Sequence, residues 1–247
     1  MTPPLLAVAL GVAGLIVGSF LGLVSLRLPA GEDVVTGRSR CGGCGRTLAW
    51  PDLVPVASYA ASRGRCRTCG SAIPVRYPLL ELAAAGVGVW AALAGPDPAG
   101  AVFTALLGWQ LLLIATVDLQ HLWLPDRLTL PLLASGLFAV GWLERAGLRD
   151  AVLGAGLGFA ALWLFGFAYR RLRGRDGLGG GDPFLFAAGG AWVGWQGLPP
   201  VLLIASAAGV GLVVARRAVG GRPAADARIA FAPLLGLGVW LVWLMRI

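Results

Sequence analysis

Eight apolar stretches divide this chain, and they constrain its fold more than any other feature. Hydrophobic residues make up 57% of the sequence and charged residues only 13%. An apolar run of about 20 residues is long enough to cross a bilayer as a helix, and a helix satisfies its own backbone hydrogen bonds there. We therefore predict an all-α polytopic membrane protein with about eight transmembrane helices. The predicted spans are residues 5–26, 79–94, 101–117, 128–143, 151–168, 184–195, 201–215 and 229–245.

The distribution of arginine predicts the orientation of these helices. All 20 basic residues are arginine, and seventeen of them lie in or beside the odd-numbered loops. By the positive-inside rule those loops are cytoplasmic and both termini face outward. The net charge of +8 is then a signal of orientation in a lipid bilayer. Because no basic patch is interleaved with aromatic residues, we predict no nucleic-acid binding.

Two aspartates lie where hydrocarbon should exclude charge. Asp118 ends the third apolar run, and Asp182 follows three glycines directly before the sixth. Ionisable residues at membrane depth usually face a protein interior or a water-filled cavity and mark a functional site. Two carboxylates at the same membrane face suggest a pair that shares a proton, as aspartyl-type hydrolysis requires. The alternative is that each carboxylate only caps a helix at the interface.

The first loop contains all four cysteines of the chain. Cys41 and Cys44 form one C-x-x-C pair, and Cys66 and Cys69 form a second, each followed by glycine. This spacing is typical of tetrahedral thiolate coordination of zinc, and the competing interpretation is a pair of disulfides. Thiols stay reduced in the cytoplasm, so the predicted orientation favours structural zinc. A metal would also stabilise a loop with little apolar sequence.

The order of several motifs resembles that of the bacterial type IV prepilin peptidases, which are bifunctional leader peptidases and N-methyltransferases. The segments are GSFLGLVSLRLP at 18–29, RGRC at 63–66, RYPLLE at 76–81, DLQHLWLPDRLTLP at 118–131, GGGD at 179–182 and AAGGAWVG at 187–194. Together with the two cysteine pairs they cover most of the chain. Any one of these motifs is weak, but the whole set in this order is highly specific.

The resemblance implies roles for particular residues. Asp118 and Asp182 would be the catalytic dyad, with Gly179 and Gly181 as part of the GxGD motif of these membrane aspartyl proteases. The family cleaves prepilins and pseudopilins at the cytoplasmic face of the inner membrane, and its methyl donor is S-adenosylmethionine. The expected organisation is a first transmembrane helix (1–28), a cytoplasmic tetracysteine zinc loop credited with methyl transfer (29–77) and a seven-helix peptidase bundle (78–247).

Three nearby polar residues have competing interpretations. Asp126 lies in the same short loop as Asp118, but the family pattern favours Asp118, and Asp126 is predicted to cap the helix that follows. His121 is the single histidine and is predicted to lie at the interface, hydrogen-bonded to backbone. Glu81 is predicted to open the second helix, where a carboxylate favours the positive end of the dipole.

Some positions depart from the family pattern. Phe184 replaces the usual lysine, Gly22 replaces an asparagine in the first helix, and Leu53 replaces an asparagine in the loop. The last two changes lie in or beside the part credited with methyl transfer. One alternative is therefore a peptidase without methyltransferase activity. Alternatives from other classes are a proton-coupled transporter or assembly protein and a non-catalytic zinc-loop scaffold.

Overall fold

The computed structural model describes residues 2–34, 36–95, 97–143, 147–218 and 230–245. Over these ranges the regular structure is helical, apart from two isolated antiparallel bridges in the first loop. The helices are α1 (Pro3–Arg27), α2 (Ala57–Ala61), α3 (Arg76–Ala94), α4 (Pro98–His121), α5 (Asp126–Leu143), α6 (Leu148–Arg173), α7 (Asp182–Ala218) and α8 (Ala232–Leu244), with a 3-10 turn at Trp50–Asp52.

Among the described residues, five helices are long and apolar enough to cross a membrane: α1, α3, α4, α6 and α7. Helix α8 is equally apolar in character but has only 13 residues. Many large apolar side chains on these helices are exposed, including Val8, Phe138 and Leu203. An apolar exterior on apolar helices of this length is what a lipid environment requires. The predicted class, an all-helical membrane protein, is confirmed.

The predicted segments map onto the helices with one difference. The first five segments fall within α1, α3, α4, α5 and α6, respectively. Segments 184–195 and 201–215 are predicted as separate helices, and they correspond to two helical stretches of α7 that meet at a kink at Gly194 (φ 65°, ψ 175°), with no loop between them. Glycine adopts this backbone conformation at little energetic cost. The helix can therefore be interrupted at Gly194 without a loop. The eighth segment corresponds to α8, and its first residue, 229, lies outside the described residues.

The chain divides into two compact units, and the boundary between Trp109 and Gln110 lies within α4. In the first unit, α1 lies directly against α3. A Cβ at Gly14 would collide with the Ala84 carbonyl, and one at Gly88 would collide with the Leu10 carbonyl. Trp109 Nε1 also donates to the Ala84 carbonyl at 2.8 Å. Glycine therefore brings two backbones close enough to bury the surface between them.

In the second unit, α7 packs against α5, α6 and α8. The backbones of α6 and α7 approach most closely at Gly154 and Gly190. Trp192 is almost fully buried, donates from Nε1 to the Leu132 carbonyl of α5 at 2.9 Å, and meets Trp243 of α8 edge to face. These contacts hold the first turns of α7, where Asp182 lies, in a defined position. The three-part organisation (1–28, 29–77 and 78–247) stays a prediction.

Candidate functional site

Asp118 lies in the last turn of α4 and is buried, with 7% of its surface exposed. Its Oδ2 accepts a hydrogen bond from the backbone N–H of Ala232, at the first residue of α8, at 3.1 Å. An unpaired N–H at a helix N-terminus is a favourable partner for a carboxylate. The contact joins residues that are 114 positions apart, and it fixes the direction in which the Asp118 carboxylate points.

Asp182 is the first residue of α7 and is equally buried, at 6% exposure. Its Oδ2 accepts from the Gly179 N–H at 3.0 Å, and its own N–H donates to the Gly179 carbonyl at 3.2 Å. The two hydrogen bonds close a tight turn over the glycine segment. The Asp182 carboxylate is therefore held in place by hydrogen bonds to the glycine segment that precedes α7.

The two aspartates belong to the same unit, and their carboxylates are close enough to interact electrostatically. Neither forms an ion pair with an arginine anywhere in the described part of the chain. Two buried carboxylates that interact do not both ionise readily, and such a pair can share one proton. A shared proton would give the site one proton donor and one proton acceptor.

The three glycines before Asp182 are not equivalent. A Cβ at Gly181 would lie 2.7 Å from both the Cβ and the carbonyl oxygen of Leu124. A Cβ at Gly179 would lie 2.9 Å from Asp182 Oδ2. A Cβ at Gly180 would meet nothing within 4 Å. The first and third glycines therefore allow close approaches around Asp182, whereas the middle one faces open space.

This difference gives a matched pair of substitutions. We expect Gly181→Ala to displace Asp182 from the Leu124 segment, to lower the free energy of unfolding by about 1–3 kcal/mol, as overpacking does, and to reduce the activity of the site. Gly180→Ala adds the same methyl group and should change stability by about 0.5 kcal/mol or less. Thermal unfolding in detergent and a turnover assay compare them. Equal behaviour of the two variants would contradict the assigned role of Gly181.

The other sequence-predicted residues around the aspartates are not buried with them. Asp126 is exposed at the first residue of α5, where the helix dipole favours a carboxylate. His121 is exposed at the end of α4. Phe184 is 40% exposed and its ring meets Phe159 of α6 edge to face. The structure thus brings Asp118 and Asp182 together in a buried site and leaves Asp126 at its surface.

Glu81 corrects one sequence-based prediction. It does not open the second apolar helix, because α3 already begins at Arg76, and Glu81 is buried inside the second turn. Its Oε2 accepts from the backbone N–H of Val56 at 2.7 Å. Hydropathy did not predict that Glu81 lies inside the helix, because the polar residues before the apolar run are helical as well. Likewise, no sequence signal marks the Ala232 N–H, because any residue supplies a backbone amide.

The four cysteines form a separate cluster in the first unit. Their Sγ atoms all lie within 4.8 Å of one another, and none is in a disulfide. The Sγ atoms of Cys41 and Cys69 are 3.8 Å apart. Tetrahedral zinc with Zn–S bonds of about 2.3 Å places its sulfurs about 3.8 Å apart. The cluster therefore has the dimensions of a four-thiolate metal centre.

The two cysteine pairs fold in the same way. The N–H of Cys41 donates to the Arg46 carbonyl at 2.8 Å, and the N–H of Cys66 donates to the Ser71 carbonyl at 2.8 Å. Each turn closes with an isolated antiparallel bridge, Arg40 with Thr47 and Arg65 with Ala72. Two copies of one short turn thus present four sulfurs to a common point.

The electrostatics of the cluster also fit a cation. The Cys44 backbone N–H and the Ser71 hydroxyl help to lower the pKa of Cys41 to about 5. The pKa of Cys44 rises to about 11 despite the Arg46 backbone N–H, because the Cys69 and Cys41 sulfurs oppose another negative charge. A divalent metal would remove this repulsion and favour all four thiolates. The residues present therefore fit zinc.

Fold and site together define a polytopic helical membrane protein with a buried aspartate pair and a four-cysteine loop. The chain matches the Bacterial Peptidase A24 N-terminal domain over residues 12–94 and the Type IV leader peptidase family over residues 105–214. No solved structure matches the chain.

Curated relatives named "Prepilin leader peptidase/N-methyltransferase" cover nearly the whole chain. The protein of Burkholderia pseudomallei (strain 1026b) is 43% identical over 92% of this chain and 81% of its own length. That of Aeromonas hydrophila is 36% identical over 93% and 87%, respectively. That of Pseudomonas aeruginosa is 36% identical over 94% and 87%. This chain belongs to the type IV leader peptidase family.

Proposed function

We propose that this protein is a prepilin leader peptidase and N-methyltransferase, in which Asp118 and Asp182 cleave the leader of prepilins or pseudopilins. Family membership and the names of the relatives support the two activities. The observation that carries the catalytic assignment is the pair of buried, interacting aspartates in one helical unit. A proton-coupled transporter would also use buried carboxylates, but the relatives' names do not favour it.

The proposed chemistry follows from one proton shared by two carboxylates. The ionised aspartate takes a proton from a water molecule, whose oxygen attacks the carbonyl carbon of the scissile peptide. The protonated aspartate donates to the carbonyl oxygen, which carries the developing negative charge. Collapse of the tetrahedral intermediate breaks the C–N bond, and the proton taken from water passes to the leaving amine. The N–H groups of Ala232 and Gly179 hold the two carboxylates in the positions this requires.

We propose that the protein lies in the inner membrane with the cysteine loop and both aspartates on the cytoplasmic side. The arginine distribution supports this orientation. In this arrangement the chain crosses the bilayer eight times, and α7 accounts for two crossings on either side of the break at Gly194. A prepilin with a basic leader in the cytoplasm and an apolar segment in the bilayer would then present its cleavage site at the level of the aspartates.

We propose that the four cysteines hold one structural zinc ion, which stabilises the loop between α1 and α3. The donor set and the sulfur spacing support this assignment. S-adenosylmethionine supplies the methyl group for N-methylation of the new N-terminus. Gly22 lies against Tyr77, where an added Cβ would come within 3.2 Å of the ring, and Leu53 is exposed after the 3-10 turn. Neither departure from the family pattern disturbs the cysteine cluster.

The test uses purified protein in lipid with a prepilin substrate and S-adenosylmethionine, read by mass spectrometry. We expect loss of the leader and addition of one methyl group to the product. Cleavage without methylation would leave a single-function peptidase. No cleavage of any prepilin or pseudopilin by folded, zinc-loaded protein would contradict the proposed function.

A further inference from the structure

The first unit contains a large cavity that the proposed peptidase chemistry does not use. Its volume is about 1170 Å³, which exceeds the 300–1,000 Å³ that typical small-molecule sites occupy. Residues from α1, the cysteine loop and the start of α3 line it. All of them precede the boundary at Trp109, so the cavity belongs to the first unit by itself.

Glu81 is a buried acid in the wall of this cavity, with 6% of its surface exposed. The other acids there have partners: Asp52 pairs with Arg46 at 3.0 Å, Glu32 lies 4.0 Å from Arg27, and Asp33 accepts from Thr36. Glu81 accepts only the Val56 N–H, and the described part of the chain supplies no cation for it. Burying an unpaired carboxylate costs free energy. A positively charged ligand next to Glu81 would offset that cost.

The backbone beside Glu81 is strained. Val56 has φ 58° and ψ −48°, and the Ala57 N–H donates to the Pro55 carbonyl across it. This is the γ-turn of positive φ, which is rare and strained, and valine is a poor residue for it because its side chain is β-branched. Strain of this kind persists where the surroundings enforce it and clusters at functional sites. Here the Glu81 carboxylate accepts the N–H of the residue at the centre of the turn.

A second charged group in the same cavity has no acidic partner in the described part of the chain. Arg76 Nε is buried without a hydrogen-bond partner, and its guanidinium lies over the Tyr77 ring, 5.1 Å from the centroid. The lining of the cavity therefore includes an anionic group at Glu81, a cationic group at Arg76 and the side chains of Tyr59 and Tyr77. A ligand that carries a positive charge, a carboxylate and a flat ring system would satisfy all of these groups.

We propose that this cavity binds the methyl donor S-adenosylmethionine, with Glu81 as the partner of its positive charge and Arg76 as the partner of its carboxylate. The proposal rests on the methyl-transfer half of the proposed function and names the site for it. The strained turn at Val56, held by Glu81, then positions one wall of the cavity. The amine that leader cleavage exposes also carries a positive charge and could pair with Glu81 instead. The experiment below distinguishes this amine from S-adenosylmethionine.

The decisive variant is Glu81→Gln, because the amide oxygen still accepts the Val56 N–H while the charge is removed. Its matched control is Asp97→Asn, which removes one negative charge outside the cavity and keeps an acceptor for the Gly100 N–H, 2.8 Å away in the parent. Arg76→Met is the second variant, since it removes the charge and keeps an unbranched side chain. Zinc content and thermal unfolding establish that each full-length protein is folded.

The measurement is calorimetric titration of each zinc-loaded protein with S-adenosylmethionine and, separately, with a peptide that has a free N-terminal amine. We expect Glu81→Gln and Arg76→Met each to weaken S-adenosylmethionine binding by about tenfold or more, as loss of a charge-assisted hydrogen bond does. Asp97→Asn should bind like the parent. An N-acetylated twin of the peptide shows whether peptide binding depends on the amine.

Three outcomes overturn the proposal. If the folded Glu81→Gln and Arg76→Met proteins bind S-adenosylmethionine like the parent, the assignment is wrong and the proposed function stands. If Glu81→Gln weakens only the amine-dependent binding of the peptide, Glu81 serves the methyl acceptor instead of the donor. If the parent cleaves prepilin but neither binds nor uses S-adenosylmethionine, the methyl-transfer half of the proposed function fails as well.

Discussion

Replacing either Asp118 or Asp182 by asparagine should abolish leader cleavage. Each asparagine oxygen can still accept the N–H that its carboxylate accepts, from Ala232 or Gly179, so the local geometry is kept while the shared proton is lost. Removing a general acid or base typically slows a reaction by about 10²- to 10⁴-fold. Single-turnover cleavage of a prepilin in lipid, followed by mass spectrometry, measures the effect.

Asp126→Asn is the matched control for this experiment. Asp126 is exposed at the start of α5, so asparagine removes only its interaction with the helix dipole, which contributes about 0.3–1 kcal/mol. We expect cleavage by this variant to stay within about twofold of the parent, as for surface substitutions that change stability by about 0.5 kcal/mol or less. Cleavage at the parental rate by the Asp118 or Asp182 variant would remove that residue from the catalytic pair.

Loss of one cysteine should release the metal and open the loop between α1 and α3. Cys66 is the most buried of the four cysteines, so Cys66→Ser removes the proposed ligand that is least accessible to solvent. Structural zinc contributes about 10–16 kcal/mol of apparent binding free energy, which is comparable to the whole stability of a typical domain. Metal analysis should find one zinc ion per parent chain and much less in the variant, and limited proteolysis should then cut within residues 29–77.

Thr68→Ala provides the control within the same turn. Thr68 is exposed between Cys66 and Cys69, so its loss removes no ligand and should leave the metal content and the proteolysis pattern unchanged. A parent protein that is purified without metal, with reduced thiols and a protease-resistant loop, would contradict the zinc assignment. Disulfide bonds between these cysteines in the purified parent would favour the alternative in which the cysteines form two disulfides and bind no zinc.

Much of the candidate site could be predicted from short segments. The positions of Asp118 and Asp182 follow from charge placed next to apolar runs, and the cysteine cluster follows from the spacing within two C-x-x-C pairs. Both signals are local, because a few neighbouring residues define each one. The structure places the aspartates together and the four sulfurs together. Their catalytic and zinc-binding roles stay predictions that the experiments above address.

Glu81 shows where local patterns are insufficient. Hydropathy identifies an apolar helix but begins it at residue 79, and it assigns Glu81 to the helix start. In the structure the polar turn from Arg76 is helical too, and the loop folds back so that the Val56 N–H meets the carboxylate. The two residues are 25 positions apart, and nothing in either segment alone indicates the other.

The membrane class, the two acidic positions and the grouping of the cysteines can be predicted from the amino-acid sequence, since composition and short spacing encode these properties. The packing of the helices, in contrast, places the Ala232 N–H against Asp118 and places Gly181, unlike Gly180, against Leu124. The helices predicted at 184–195 and 201–215 are both present, and the structure shows that they join at a kink at Gly194 with no loop between them. These contacts involve backbone groups of segments that are far apart in the sequence. Because every residue carries the same backbone groups, no sequence pattern marks the contacts, and they form only when the helices pack.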